Sequence, residues 1–195
     1  MLTQNEKNIL KFLMTSFRHY SVNDISKENK LAPNGAYKIL KKLEKLGVVY
    51  PTNVGKIKSY KINFNNKLTM NYLEIALSDE RINDAKIKIR VQDFKDLMDI
   101  CKAAVIFGSY ITEKKKPNDI DVVFVIYKDK YKEYKNILEK IKEMLPYKIH
   151  DILQTPNDMA NNLKEQDKII INAIRNGIVL WGYDIIAGCV KNAQS

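Results

Sequence analysis

Two aspartates separated by one isoleucine, Asp119-Ile120-Asp121, open an apolar run that continues to Val125. In an extended strand alternate side chains share a face, so both carboxylates point one way while Ile120 and Val122 point into a core. Two carboxylates held that close repel unless protons or metal ions sit between them. Hard divalent cations with oxygen ligands are the usual counter-charge, and phosphoryl chemistry is their usual task. Upstream, the apolar run Ala103–Phe107 stops at Gly108-Ser109, and nine residues separate Ser109 from Asp119. A residue without a side chain lets backbone approach phosphate closely, and the serine adds a hydroxyl. The stretch reads as strand, phosphate-sized turn, strand, with paired carboxylates where the second strand begins.

The elements that must position these groups follow from periodicity. Tyr134, Ile137, Leu138, Ile141 and Leu145 mark an amphipathic helix that Pro146 closes. Lys148–Leu153 reads as a third strand carrying Asp151. His150 should face the other side of that strand and is read as structural. Thr155-Pro156 starts a helical region that reaches Asn176 with a break midway, Gly177 ends it, and Ile178–Trp181 returns as a short apolar segment. The pattern predicts an α/β arrangement, a mixed sheet with flanking helices, in which carboxylates from neighbouring strands converge.

The N-terminal third has a different plan. Ile9, Leu10, Leu13 and Phe17 make one helical face, Ser21 reads as the N-cap of a short helix through Val22 and Ile25, and Pro33 opens a third helix. That helix places Ala36, Ile39, Leu40, Leu43 and Leu46 on one face and shows Asn34, Tyr37, Lys38, Lys41 and Lys45 on the opposite one. Val48–Tyr50, a turn containing Gly55, and an alternating strand through Tyr60, Ile62 and Phe64 complete a hairpin. The expected division is 1–66 as a first domain, 67–100 as a helical connector, 101–187 as a second domain and 188–195 as a tail.

Charge follows the same division. The formal net charge is +10, and residues 1–65 carry twelve Lys and Arg against four Asp and Glu, whereas the rest carry 21 against 19. A basic domain beside a nearly neutral one predicts that the first meets a polyanion. No apolar stretch approaches the roughly 20 residues that span a bilayer. Cys101 and Cys189 lie far apart and show no metal-ligand spacing with His19 or His150, so reduced thiols and a cytoplasmic protein without membrane contact are expected.

The segment from Ser21 to Ile62 resembles the winged helix-turn-helix DNA-binding domains of prokaryotic transcription regulators. The resemblance implies that the third helix enters the major groove, with Asn34, Tyr37, Lys38 and Lys41 near DNA and Lys56 and Lys58 on the wing. Lysines contact phosphate and position rather than specify, so modest sequence specificity is expected. A homodimer on a two-fold site is a further expectation. Docking to protein and contact with RNA are the competing uses of such a module.

Phe107-Gly108-Ser109, nine residues, then Asp119-Ile120-Asp121-Val122 resembles the nucleotidyltransferase superfamily that includes DNA polymerase beta, specifically its minimal prokaryotic branch. The ending Asn172–Gly182, NAIRNGIVLWG, resembles that branch too. The resemblance implies the α+β nucleotidyltransferase fold, with Asp119, Asp121 and Asp151 as catalytic carboxylates holding two Mg²⁺ ions. It implies Gly108 and Ser109 as nucleotide-binding residues. The chain departs from the family at Tyr110-Ile111-Thr112-Glu113, where an aromatic residue, Ala, Arg and Gly are usual. Replacement charge at the triphosphate is assigned to the lysine run centred on Lys115. The implied reaction transfers a nucleoside monophosphate, AMP from ATP in relatives, to a hydroxyl on protein or RNA. Many relatives act as antitoxins on a HEPN-type toxin, which here would be a separate protein. The alternative is a transcription regulator whose second domain senses nucleotide without turnover.

Overall fold

In the computed structural model the described residues are 1–55, 57–112, 117 and 119–194. The chain forms two compact units, Met1–Leu77 and Ser78–Ala193. Both mix helix and strand, each with its own sheet.

In the first unit α1 (Gln4–Met14) is followed by α2 (Val22–Glu28), α3 (Pro33–Lys45), β1 (Val49–Val54), β2 (Ile57–Ile62) and α4 (Thr69–Leu77). Thr3 and Ser21 cap α1 and α2 through reciprocal capping boxes with Glu6 and Asp24, which satisfies backbone N–H groups that the first helical turn leaves open. Glu6 also accepts from Lys42 Nζ at 2.7 Å, joining α1 to α3. Burial works against ionising the Glu6 carboxyl, but the Lys42 and Thr3 hydrogen bonds outweigh it and hold the carboxyl below its ordinary range. Pro33 occupies the first turn of α3, where its missing N–H costs nothing. Ala36, Leu40 and Leu43 are buried together with Ile9, Leu10, Leu13 and Ile25. The strands pair antiparallel from Val49↔Ile62 to Val54↔Ile57, and Ser21 bridges Ser59 on the hairpin.

The second unit contains α5 (Ala85–Asp93), β3 (Ala103–Phe107), α6 (Ser109–Thr112), β4 (Asp119–Val125), α7 (Tyr131–Met144), β5 (Lys148–Gln154), α8 (Pro156–Lys164), α9 (Lys168–Asn176), β6 (Ile178–Trp181) and α10 (Tyr183–Gln194). The sheet order is β5-β4-β3-β6; β3 runs antiparallel to both β4 and β6, and β5 lies parallel to β4 after the α7 crossover. Ile120, Val122 and Phe124 pack on one face with Phe94, Leu97, Tyr134, Leu138 and Ile141. Val105, Val123 and Val125 are also buried, on the opposite face, where α9 meets β3. Burial on both faces explains why β3 and β4 read as continuous apolar runs rather than alternating ones.

The connector expected over residues 67–100 divides between the units. Leu73, Ala76 and Leu77 bury a face of α4 in the first, against α1, whereas Ile87, Phe94 and Leu97 belong to the core of the second. The tail expected at 188–195 is helical through Gln194, because Cys189, Val190 and Ala193 continue the buried stripe of α10. Among the described residues no helix is long and apolar enough to cross a membrane.

Both cysteines are free and buried. Burial pushes the Cys101 thiol up to about 12 and the Cys189 thiol up to about 11. Thiolates, not thiols, are alkylated, so both should resist iodoacetamide at about pH 8 in the native protein and label fully in guanidinium chloride, as mass spectrometry would show. Folding raises both values, so the stability they contribute is whole below the ordinary thiol value of about 8.5 and is lost as pH rises towards 11 to 12.

Candidate active site

Antiparallel pairing sets the end of β3 beside the start of β4, with Phe107 opposite Asp121. The turn after β3 therefore passes directly over the two aspartates. Gly108 sits at φ +75°, a conformation that glycine alone adopts cheaply, and a Cβ there would overlap the Asp121 carboxylate. Ser109 Oγ donates to Asp119 Oδ1 at 3.4 Å. Gly108, Ser109, Asp119 and Asp121 thus form one corner. The aspartate side chains are 38% and 29% exposed at the sheet rim, open enough to meet a ligand.

Asp151 does not join them. In the parallel register Asp121 lies beside His150 and Val122 beside Asp151. Neighbouring residues in register share a face, so Asp151 faces α7 with Val122 while His150 faces the carboxylate pair. Tyr134 Oη donates to Asp151 Oδ2 at 2.9 Å, and Lys142 Nζ lies 3.1 Å from Oδ1. Burial, reinforced by the Asp151 charge and hydrogen bond, pushes the Tyr134 hydroxyl far above its ordinary value. Burial alone would lower the Lys142 ammonium, but Asp151 outweighs it and the value rises. The expectation that Asp151 completes the metal set is therefore corrected: it ties β5 to α7.

His150, expected to be structural, takes the place beside the pair. Its Nδ1 lies 3.3 Å from Asp121 Oδ1 and 3.8 Å from Asp119 Oδ2, and its side chain is 56% exposed. The signal was the alternation of Ile149 and His150: once Ile149 enters the core beside Ile120, His150 must emerge beside Asp121.

Two cations missed in the sequence flank the turn through Tyr110. Lys86 Nζ donates to the Tyr110 carbonyl and stands 4.2 Å above its ring. Arg90, 94% buried on α5, lies 5.7 Å from the Tyr110 ring and 5.1 Å from the Tyr147 ring, and pairs with Asp93 at 2.8 Å. Lys115, expected at a triphosphate, lies outside the described residues.

Asp119 and Asp121 supply oxygen donors on one face, and no Lys or Arg among the described residues forms an ion pair with either. That donor set suits a hard divalent cation completed by water and substrate oxygens. Among the described residues no group of three or more His, Cys, Asp or Glu side chains is gathered as a metal site.

In the first unit, Asn34, Tyr37, Lys38 and Lys41 share the exposed side of α3, opposite Ala36, Leu40 and Leu43. Lys41 is paired with Glu44 at 2.9 Å. Lys58 is exposed on β2, with Nζ 5.7 Å from the Tyr60 ring centre; Lys56 lies outside the described residues.

The two kinds of aspartate should separate in experiment. Asp151→Ala leaves the buried Tyr134 hydroxyl without its acceptor and should cost about 1–3 kcal/mol, read as a lower urea midpoint, with divalent-cation binding retained. Asp119→Asn combined with Asp121→Asn should abolish cation binding in titration calorimetry while the midpoint hardly moves.

Residues 84–172, which span this site, match the model of a family described as "Family of unknown function (DUF6932)". Comparisons with curated proteins and with solved structures find no match.

Proposed function

We propose that the second unit is a nucleotidyltransferase domain of the polymerase-beta type and that the first is a winged helix that binds DNA. The observation that carries the catalytic reading is the Gly108-Ser109 turn seated on Asp119 and Asp121. The strand arrangement, an antiparallel pair flanked by a parallel strand, agrees with it.

Gly108 lets the backbone approach a nucleoside triphosphate, and Ser109 offers its hydroxyl and N–H to phosphate oxygens. Asp119 and Asp121 would hold Mg²⁺, which would supply charge neutralisation at the phosphates and a lowered pKa for the acceptor hydroxyl. His150 turns Nδ1 to Asp121, which leaves its other ring nitrogen to accept the proton of the acceptor hydroxyl. The acceptor oxygen forms a bond to the α-phosphorus, the bond to the leaving pyrophosphate breaks, and the nucleoside monophosphate remains on the acceptor. ATP as donor, a protein or RNA acceptor and a HEPN-type toxin partner follow from the family resemblance.

A second reading rests on the displacement of Asp151: with two carboxylates and an imidazole in place of three carboxylates, the domain binds Mg–nucleotide without turnover and regulates the DNA-binding unit. Incubation with α-labelled NTPs and Mg²⁺ separates the two. Transfer of label to protein or RNA, lost in Asp119→Ala/Asp121→Ala and strongly reduced in His150→Ala, supports the enzyme. Nucleotide binding without transfer to any acceptor supports the sensor.

DNA binding has its own measurement. Anisotropy with a duplex should show affinity falling linearly with log salt, with a slope of about −0.9 per phosphate neutralised. Replacing Lys38 and Lys41 by Gln should weaken binding across sequences and flatten the slope by about one to two. A salt-insensitive affinity would argue for protein docking by this face instead.

A further inference from the structure

A cavity of about 330 Å³ opens at the other end of the parallel strand pair, lined by Ile126, Lys128, Tyr131, Leu153, Gln154, Thr155 and Asp158. Asp119 stands at the start of β4 and Ile126 just past its end. Seven residue steps at about 3.3 Å each put the two sites about 23 Å apart, so this crevice is not part of the carboxylate corner. It lies where the carboxyl ends of β4 and β5 lead into α7 and α8.

Its lining is unequal in kind. Ile126 and Leu153 make an apolar floor, and Tyr131, about half exposed, stands at the edge with Lys135 Nζ 5.3 Å from its ring centre. Gln154 is a fixed wall, its carbonyl accepting from Asn162 at 2.6 Å and its amide donating to the Leu153 carbonyl at 3.1 Å. Asp158 directs Oδ2 to the Thr155 N–H and hydroxyl at 3.1 and 2.7 Å, which orients the carboxylate and leaves Oδ1 for another partner. The Thr155 hydrogen bonds, with a smaller contribution from Lys128, hold the Asp158 carboxyl below its ordinary range. Lys128 is near enough to be felt by Asp158, yet the two form no ion pair within 4.0 Å. Opposite charges that face one cavity without touching leave room for a ligand carrying the opposite charge at each end.

We propose that this crevice binds a free α-amino acid with an apolar side chain: carboxylate to Lys128, ammonium to Asp158, side chain on Ile126, Leu153 and Tyr131. Aromatic rings attract an ammonium as well as apolar surface, so Tyr131 serves both parts of the ligand. The proposal stands independently of the nucleotidyl-transfer reading.

Titration calorimetry on the full chain with L-leucine and L-phenylalanine tests it. Saturable one-site binding is expected for at least one of them. Glycine, N-acetyl-L-phenylalanine and phenylalanine amide, each lacking one of the three recognised parts, should bind about tenfold more weakly or worse. Lys128→Gln and Asp158→Asn should each weaken the amino acid about tenfold; Asn at this third position of α8 still offers an oxygen to the Thr155 N–H, so the capping box and the fold are kept. Circular dichroism melts verify that the variants are folded, and Asp119→Ala/Asp121→Ala should bind as the wild type does. No binding of either amino acid to the wild type overturns the proposal. Equal binding of the charge-blocked compounds, or indifference to both variants, overturns it as well.

Discussion

The second unit depends on the pairing of β4 with β5. β4 is covered on both faces, and only its first turn of residues, Asp119 and Asp121, reaches the rim. A strand buried on two sides offers no polar face to hide an error in register, and a one-residue slip of its neighbour exchanges every side chain between faces. The observed register puts Ile149 against the α7 side of the core and His150 against the aspartates. What chemistry the rim can do is therefore decided by packing some distance from it.

The turn above the aspartates is held in an unusual way. Gly108 leaves space for the Asp121 carboxylate, and the next aromatic, Tyr110, is buried edge-on to Tyr147 at 5.7 Å with Arg90 beside both rings. Arg90 Nε and Nη1 have no hydrogen-bond partner among the described residues, so its contacts are the two rings and Asp93. A guanidinium is less strongly hydrated than an ammonium and stacks on aromatic faces, which makes it the cation that tolerates such a place. Tyr147 immediately precedes β5, so the Tyr110–Arg90–Tyr147 group links the turn to the strand that carries His150. Positive charge also reaches the turn from Lys86. Both α5 side chains thus bring cations to Tyr110 from elsewhere in the sequence.

Much of the architecture was legible because it rests on local rules. Ser21 caps its helix, Pro33 begins the next, and β3, β4 and β5 lie where apolar runs predicted them. The Gly108-Ser109 and Asp119–Asp121 corner was legible too, since a turn and an i, i+2 pair are both local. The face assigned to Asp151 was not. Within Lys148–Leu153 either alternate set suits a half-covered strand, and only the register with β4, a contact between distant segments, chooses between them. Arg90 and Lys86 were hidden for the same reason: on a helix read by its apolar spacing, nothing local says which cation will meet Tyr110.

Asp151 still matters to the candidate site, although it does not face it. Were β5 shifted by one residue, Asp151 would reach the aspartates and make three carboxylates at the rim. The same shift would turn His150 towards the core and strip the Tyr134 hydroxyl of its acceptor, where a buried unsatisfied group costs about 1–3 kcal/mol. It would also part Lys142 from the carboxylate now 3.1 Å away. Tyr134 is 1% exposed and packs on Phe124 of β4, so it cannot turn to water instead. The acid that a sequence motif nominates for catalysis is thus held on the opposite face by a tyrosine and a lysine of α7. By anchoring β5 there, it places an imidazole rather than a third carboxylate beside Asp121.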